Sequence, residues 1–191
     1  WEWFKIMINI GSIGERIFSP DNMEWEERTN EFITNLLIRE GGDKDTTDTG
    51  GLTKYGISTR AHGHQGYDIA NLTEDQAREI YKEQYIPAAV KRIGKNNVVW
   101  KFIDMNVNMG WGNATSVLQK ALGIKVDGDF GEKTVNALKK EIDKWGEDEV
   151  IYMLTEAQLE YYDKLRESNP KKYGIYKGWD ERARYNPIKE Q

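Results

Sequence analysis

Glu40 stands where an apolar residue is due. Phe32, Ile33, Leu36 and Leu37 recur at helical spacing, and one further step along that stripe reaches Glu40. Gly41 and Gly42 follow at once, the usual way to end a helix in a left-handed turn, so the carboxylate also lies at the negative end of the helix dipole. Desolvation and the dipole both disfavour its charged form. A carboxylic acid held protonated is what a general acid requires, although an isolated Glu-Gly-Gly more often marks a helix-terminal side chain reaching water. A second carboxylate is near in sequence, Asp45 or Asp48, on the stretch that leads into Gly50-Gly51-Leu52-Thr53-Lys54-Tyr55-Gly56-Ile57. The Thr53 hydroxyl donates and accepts, so it can orient a water. An acid that protonates a leaving oxygen, with a second carboxylate that activates water or attacks the sugar, is the equipment for glycoside cleavage.

Other chemistries lack their residues. The chain has no cysteine, which removes disulfides, thiolate metal sites and a Cys nucleophile. His62 and His64, with Asp68 as the nearest further ligand, form no His-Glu-x-x-His pattern and read as loop histidines. A calcium loop starting at Asp43 would need Gly at position six and Glu at twelve, where Asp48 and Lys54 stand. No metal and no cofactor are therefore expected. Neither a Gly-x-Ser-x-Gly elbow nor a phosphate-binding Gly-x-x-x-x-Gly-Lys occurs. A formal net charge of −5 and a pI near 5.3 lack the basic footprint of a nucleic-acid binder. Seven Trp and ten Tyr supply core and, secondarily, platforms for the apolar faces of sugars.

The elements that must hold these residues are mostly helical. With 191 residues and 38% hydrophobic content the chain can bury one sizeable core, as one domain or two small lobes. Residues 1–20 form an N-terminal extension, apolar but interrupted by Glu2 and Lys5 and too short for a membrane span; no signal peptide is read there. Asp21 with Glu24 predicts a capped helix over about 22–40, with a break near Thr29-Asn30. Residues 43–67 are rich in Gly, Asp and Thr and read as a loop carrying a small hairpin through Leu52–Ser58. Leu72, Thr73, Gln76 and Ala77 make a capping box with its staple, opening a helix that should end near Ile86-Pro87. Tyr81 and Tyr85 share its face, as core first and substrate platform second. Further helices are expected over Val98–Val107, Ala114–Leu122, about 132–144 with Asp129 and Glu132 as its cap, and Glu147–Ser168. The aromatic tail from Tyr173 to Arg182 should pack back on the body. No repeat and no run of β-branched alternation is present, so the fold class is mainly α, a helical bundle-like body with a Gly/Asp/Thr-rich loop or small hairpin, α+β at most.

Glu40-Gly41-Gly42, followed by Asp48-x-Gly50-Gly51-x-Thr53-x-Tyr55-Gly56-Ile57, resembles the signature of glycoside hydrolase family 108, the N-acetylmuramidases of phage endolysins and some bacterial proteins. The resemblance continues through Phe102–Gly110, Leu118-Gln119-Lys120-Ala121-Leu122-Gly123 and Val126–Thr134, the last similar to the peptidoglycan-binding module that accompanies this family. Tyr161-Tyr162 and Gly178-Trp179-x-x-Arg182 match its closing pattern. A single motif of this kind is weak, but five in the family's order, from about Asn30 to Ala183, are specific.

The resemblance implies a lysozyme-like fold and cleavage of the bond between N-acetylmuramic acid and N-acetylglucosamine. It maps the catalytic Glu onto Glu40 and supports Asp48 and Thr53 as its partners. Tyr55, Tyr85, Asn106 and Asn108 are candidate substrate-binding residues, the two Asn being polar on an otherwise apolar helix, with backbone-bonded Asn as the rival reading. It further implies a catalytic lobe over 21–95 and a helical lobe over 96–191 packed on it. The expected partner is the glycan strand of bacterial peptidoglycan, with no nucleic acid and no stable membrane span. A monomer is expected, made in the bacterial host cytoplasm and acting on the cell wall. Two departures stand out: Asp43 follows Glu-Gly-Gly where Tyr is common, adding a third carboxylate, and the second helix ends in Tyr85-Ile86 instead of an aromatic pair. A lytic transglycosylase and a non-catalytic peptidoglycan-binding protein are the alternatives.

Overall fold

The computed structural model describes residues 20–41, 46–48, 51–62, 65–174 and 178–185. The chain is mainly α and divides into two compact units, Trp1–Arg78 and Glu79–Gln191.

In the first unit, helix α1 spans Pro20–Arg39. Proline suits a first helical position, because its missing N–H is one that would have no intrahelical partner. The helix therefore starts one residue ahead of Asp21 instead of using it as the cap. It also runs unbroken through Thr29-Asn30, where Thr29 Oγ1 donates back to the Trp25 carbonyl (2.7 Å) and Thr34 Oγ1 to the Asn30 carbonyl (2.9 Å). Phe32, Ile33, Leu36 and Leu37 are all buried, each contributing about 1.5–3 kcal/mol relative to exposure.

An antiparallel three-stranded sheet follows, in the order β1 (Thr46–Asp48), β2 (Gly51–Lys54), β3 (Ile57–Ser58). The β2–β3 pair is the expected hairpin, and β1 is an addition to it. Tyr55 (φ +52°) and Gly56 (φ +77°) form its two-residue turn, and positive φ at both positions matches the right-handed twist of the flanking strands. A four-residue helix, α2 (Thr59–His62), packs on β2 and β3. Helix α3 (Glu74–Ile80) opens with the predicted reciprocal box: Thr73 N–H donates to Gln76 Oε1 (3.0 Å) and Gln76 N–H to Thr73 Oγ1 (3.2 Å). Leu72 and Ala77, the staple positions, are both buried. Arg78 ties this helix to α1 by donating to Thr34 Oγ1 at 3.1 Å, while Glu74 orients its guanidinium at 2.7 Å.

In the second unit the helical chain does not stop at Ile86-Pro87. Tyr81–Tyr85 forms a π-helical turn and α4 (Ile86–Ile93) continues, with Ile86 N–H donating to the Tyr81 carbonyl five residues back. An α-helical Pro87 would clash with the carbonyl of Glu83; the wider turn ahead of it removes that conflict. Helix α5 (Val98–Met109) is buried along every residue from Val98 to Asn106, as a central helix should be. Gly110 (φ +80°) ends it and at once starts α6 (Trp111–Ala121), three residues earlier than the sequence suggested. Helices α7 (Glu132–Trp145), α8 (Glu147–Ser168), α9 (Pro170–Tyr173) and α10 (Trp179–Arg184) complete the unit. α8 packs on α5, α6, α7, α9 and α10. Phe102, Trp111 and Phe130 meet edge-on and tilted, with ring centroids 5.1–5.9 Å apart.

The aspartate-rich turn before α7 is organised by one amide. Gln119 Oε1 accepts from the N–H groups of Asp127 and Gly128 (2.9 Å each). Its Nε2 donates to Asp127 Oδ1 (2.7 Å), the Asp129 carbonyl (3.0 Å) and Thr134 Oγ1 (3.1 Å). Asp129 is not the helix cap: Gly131 occupies that position with no side-chain cap bond, and Asp129 serves the turn through its carbonyl instead. The tail packs back within the unit, with Trp179 stacked on Tyr162 at 4.8 Å and Arg182 paired with Asp104 at 3.3 Å.

Candidate active site

Glu40 sits one residue past α1, with its N–H on the Leu36 carbonyl (2.9 Å), and Gly41 turns the chain at φ +86°. This is the left-handed helix end that the two glycines announce, and it holds Glu40 in the last turn's geometry. Its side chain is half-buried and its Oε1 is shielded from solvent. All three guanidinium nitrogens of Arg39, the preceding residue, are shielded too.

Strand register fixes the rest of the first-unit site. Asp48 pairs with Gly51, Thr46 with Thr53, and Thr53 with Ser58. Directly paired residues share a face and alternate residues along a strand return to it, so Thr46, Asp48, Gly51, Thr53 and Ser58 are register positions of one face. The opposite face takes Thr47, Leu52, Lys54 and Ile57, and Ile57 is fully buried. The sheet is thus split into a polar and a more apolar side, with Asp48 and Thr53 on the polar one. Ser58 and Thr46 join them through the strand pairing. Four residues separate Gly41 from Thr46, so chain length alone keeps the start of β1 within about 18 Å of Gly41. Asp43 and Asp45, the competing carboxylates, lie outside the described residues, as does His64. Among the described residues no group of three His, Asp or Glu is placed to hold a metal ion.

Tyr55 is buried in the hairpin turn, with the Lys54 ammonium 5.9 Å from its ring centroid. Tyr85, Asn106 and Asn108 belong to the second unit. Tyr85 is half-buried in the π turn, its ring 5.0 Å from that of fully buried Tyr81. Asn106 is buried on α5. Asn108 Oδ1 accepts from Tyr162 Oη at 2.6 Å, and the same hydroxyl accepts from Gln158 Nε2 at 2.8 Å. Burial pushes the Tyr162 hydroxyl up to about 12, against smaller opposing effects of Gln158 and Arg182. Lys101 and Asp104 line the same helix, with Lys101 donating to the Ala183 carbonyl and Asp104 held by Arg182. Asn108 therefore ties α5 to α8, while Lys101 and Asp104 tie α5 to α10.

No helix among the described residues is long and apolar enough to cross a membrane. No curated protein matches the chain. Among solved structures, the "Structure of Brucella abortus SagA" is similar at 25% identity with a TM-score of 0.65, covering 83% of this chain and 90% of that one. The family model described as "Glycosyl hydrolase 108" matches residues 33–110, which include all seven candidate site residues, and "Predicted Peptidoglycan domain" matches residues 113–184. The chain is a glycoside hydrolase, with residues 33–110 similar to the glycosyl hydrolase 108 family and residues 113–184 similar to a predicted peptidoglycan domain.

Proposed function

We propose that this chain is an endolysin-type muramidase that hydrolyses the β-1,4 bond between N-acetylmuramic acid and N-acetylglucosamine in bacterial peptidoglycan. The observation that carries the reading is Glu40: a carboxylic acid at a helix end, one oxygen shielded from solvent, followed by a sheet whose polar face includes Asp48 and Thr53. Glu40 gives its proton to the glycosidic oxygen as that bond breaks, releasing the 4-hydroxyl of N-acetylglucosamine. Asp48 is the second carboxylate, facing the positive charge that develops on the muramic acid ring or activating the water. Water adds to C1 of muramic acid, its remaining proton restores the acid, and Thr53 positions water or sugar. The catalytic lobe is residues 21–95, and the helical lobe 96–191 holds the wall. The enzyme acts as a monomer on the cell wall, after synthesis in the bacterial host.

Digestion of purified sacculi followed by mass spectrometry of the muropeptides tests this. Reducing muramic ends support hydrolysis, and anhydromuramic ends reject it in favour of a lytic transglycosylase. Asp48→Asn and Thr53→Val should each slow release of reducing ends with the fold intact. Retention on the wall with no ends released would leave a non-catalytic binding protein.

A further inference from the structure

The second unit has a cleft of about 480 Å³ between α6, α8 and α10, and none of the residues assigned to sugar chemistry above lines it. Its lining is ionic. Lys120 comes from α6, Glu156, Glu160 and Asp163 from α8, and Asp180 and Arg184 from α10; only Ala157 and Leu159 are apolar, and no aromatic residue contributes. Glu156, Glu160 and Asp163 follow at steps of four and three, so they form one stripe of α8. A sugar ring asks for an aromatic face and for amides or hydroxyls at its rim, and this lining offers neither.

Most of the charges are already engaged and held in place. Glu160 is paired with both Lys120 and Lys164, which keep its carboxyl below the usual range. Arg166 bridges Asp163 (2.8 Å) and Asp180 (2.5 Å), fixing α10 to α8. Glu156 and Arg184 are different: both are exposed, and neither makes a side-chain hydrogen bond or ion pair among the described residues. One wall of the cleft thus presents an unengaged carboxylate and the other an unengaged guanidinium. With Lys164 and Arg166 counted beside the lining, four carboxylates meet four cations, so the cleft is balanced overall and suits a group that carries both charges.

We infer that this cleft binds the stem peptide of peptidoglycan, with Glu156 taking the ammonium and Arg184 the carboxylate of a zwitterionic side-chain end group such as that of meso-diaminopimelate. The inference rests on peptidoglycan being the chain's partner and assigns the recognition of its peptide part. The glycan is neutral along its length, whereas the stem carries the charges that such a lining matches.

The test uses the full chain and three soluble tripeptides: L-Ala-γ-D-Glu-meso-diaminopimelate, the same peptide acetylated on its free side-chain amine, and L-Ala-γ-D-Glu-L-Lys, which lacks the side-chain carboxylate. Binding is measured by NMR titration with the parent, Glu156→Gln and Arg184→Gln. The diaminopimelate peptide should bind the parent, and each variant should weaken it roughly two- to fivefold, the contribution of an exposed ion pair. Acetylation should reproduce the loss of Glu156→Gln, and the lysine peptide should not respond to Arg184→Gln. Absent binding of the diaminopimelate peptide, or binding indifferent to both substitutions, overturns the inference. Pelleting with whole sacculi on ice separates the two levels: a parent that pellets but binds no tripeptide refutes the cleft assignment alone. A parent that does not pellet refutes the peptidoglycan reading beneath it.

Discussion

Replacing Gln119 with alanine should destabilise the second unit by about 2–4 kcal/mol. The side chain is 1% exposed. Its amide holds the Asp127 and Gly128 N–H groups, the Asp129 carbonyl and Thr134 Oγ1 at 2.9–3.1 Å. At ~0.5–1.5 kcal/mol net for each bond, these four sum to about 2–6 kcal/mol. The lower part of that range applies, because the turn lies near the surface and water can replace some partners of the exposed backbone. Urea unfolding followed by circular dichroism measures the change, and an unaltered m-value keeps the comparison two-state. Gln119→Glu discriminates further. It retains the two accepting bonds but loses its donors and places a carboxylate against Asp127, so at neutral pH it should cost at least as much as alanine and recover partly in acid. Asp127 itself reports the loss. Its carboxyl is held below the ordinary range chiefly by the Gln119 bond and then by the Asp129 N–H, so Gln119→Ala should return it towards that range in an NMR titration. The sign follows from the depression: this contribution is present above the ordinary aspartate range and disappears as pH falls through the lowered folded value. A Gln119→Ala protein within about 0.5 kcal/mol of the parent would refute the claim that one amide organises the turn.

The ion pair of Asp104 and Arg182 gives a second prediction. Asp104 is 1% and Arg182 14% exposed, so Arg182→Leu should cost about 3–5 kcal/mol, and adding Asp104→Leu should recover much of it; equal unfolding midpoints for parent and single variant would contradict this. Tyr162 carries a pH signature. Its folded value near 12 lies above the ordinary 10, so its stabilisation is complete below about pH 10 and is lost as pH rises towards 12. Tyr162→Phe should flatten that alkaline limb, and phenolate absorbance at pH 11 should show one fewer protonated tyrosine. Gly56→Ala in the hairpin turn, where φ is +77°, should cost about 1–2 kcal/mol in thermal unfolding, and no cost would mean the turn adopts another backbone.

What the sequence revealed was local. The Thr73-Gln76 box, the left-handed end at Gly41 and the Tyr55-Gly56 hairpin each depend on residues within four positions, and each is present. The long helices α5 to α8 were legible from their apolar stripes, with boundaries shifted by a few residues. The misses came where a distant group overrode a local rule. Asp129 has the spacing of a cap, but Gln119, ten residues earlier, recruits its carbonyl to the turn and Gly131 takes the cap position. Pro87 has the appearance of a helix stop, but the π turn ahead of it lets the chain continue. Strand β1, three residues long, is too short to show alternation and exists through its pairing with β2. At the site, the glycine pair pointed to Glu40 and the turn to Thr53. The register that puts Asp48 on Thr53's face is a property of pairing, not of spacing alone, and the shielding of the Arg39 guanidinium left no periodic trace.

The central claim is that Glu40 is the proton donor of a muramidase. The direct measurement is the rate at which new reducing ends appear from purified sacculi, with muropeptide mass spectrometry, for the parent and for Glu40→Gln. Gln is isosteric and carries no transferable proton, so the variant should keep the parent's circular dichroism and unfolding midpoint while losing about 10²- to 10⁴-fold in rate. The parent's products should end in reducing muramic acid. A folded Glu40→Gln protein that releases reducing ends as fast as the parent would contradict the account.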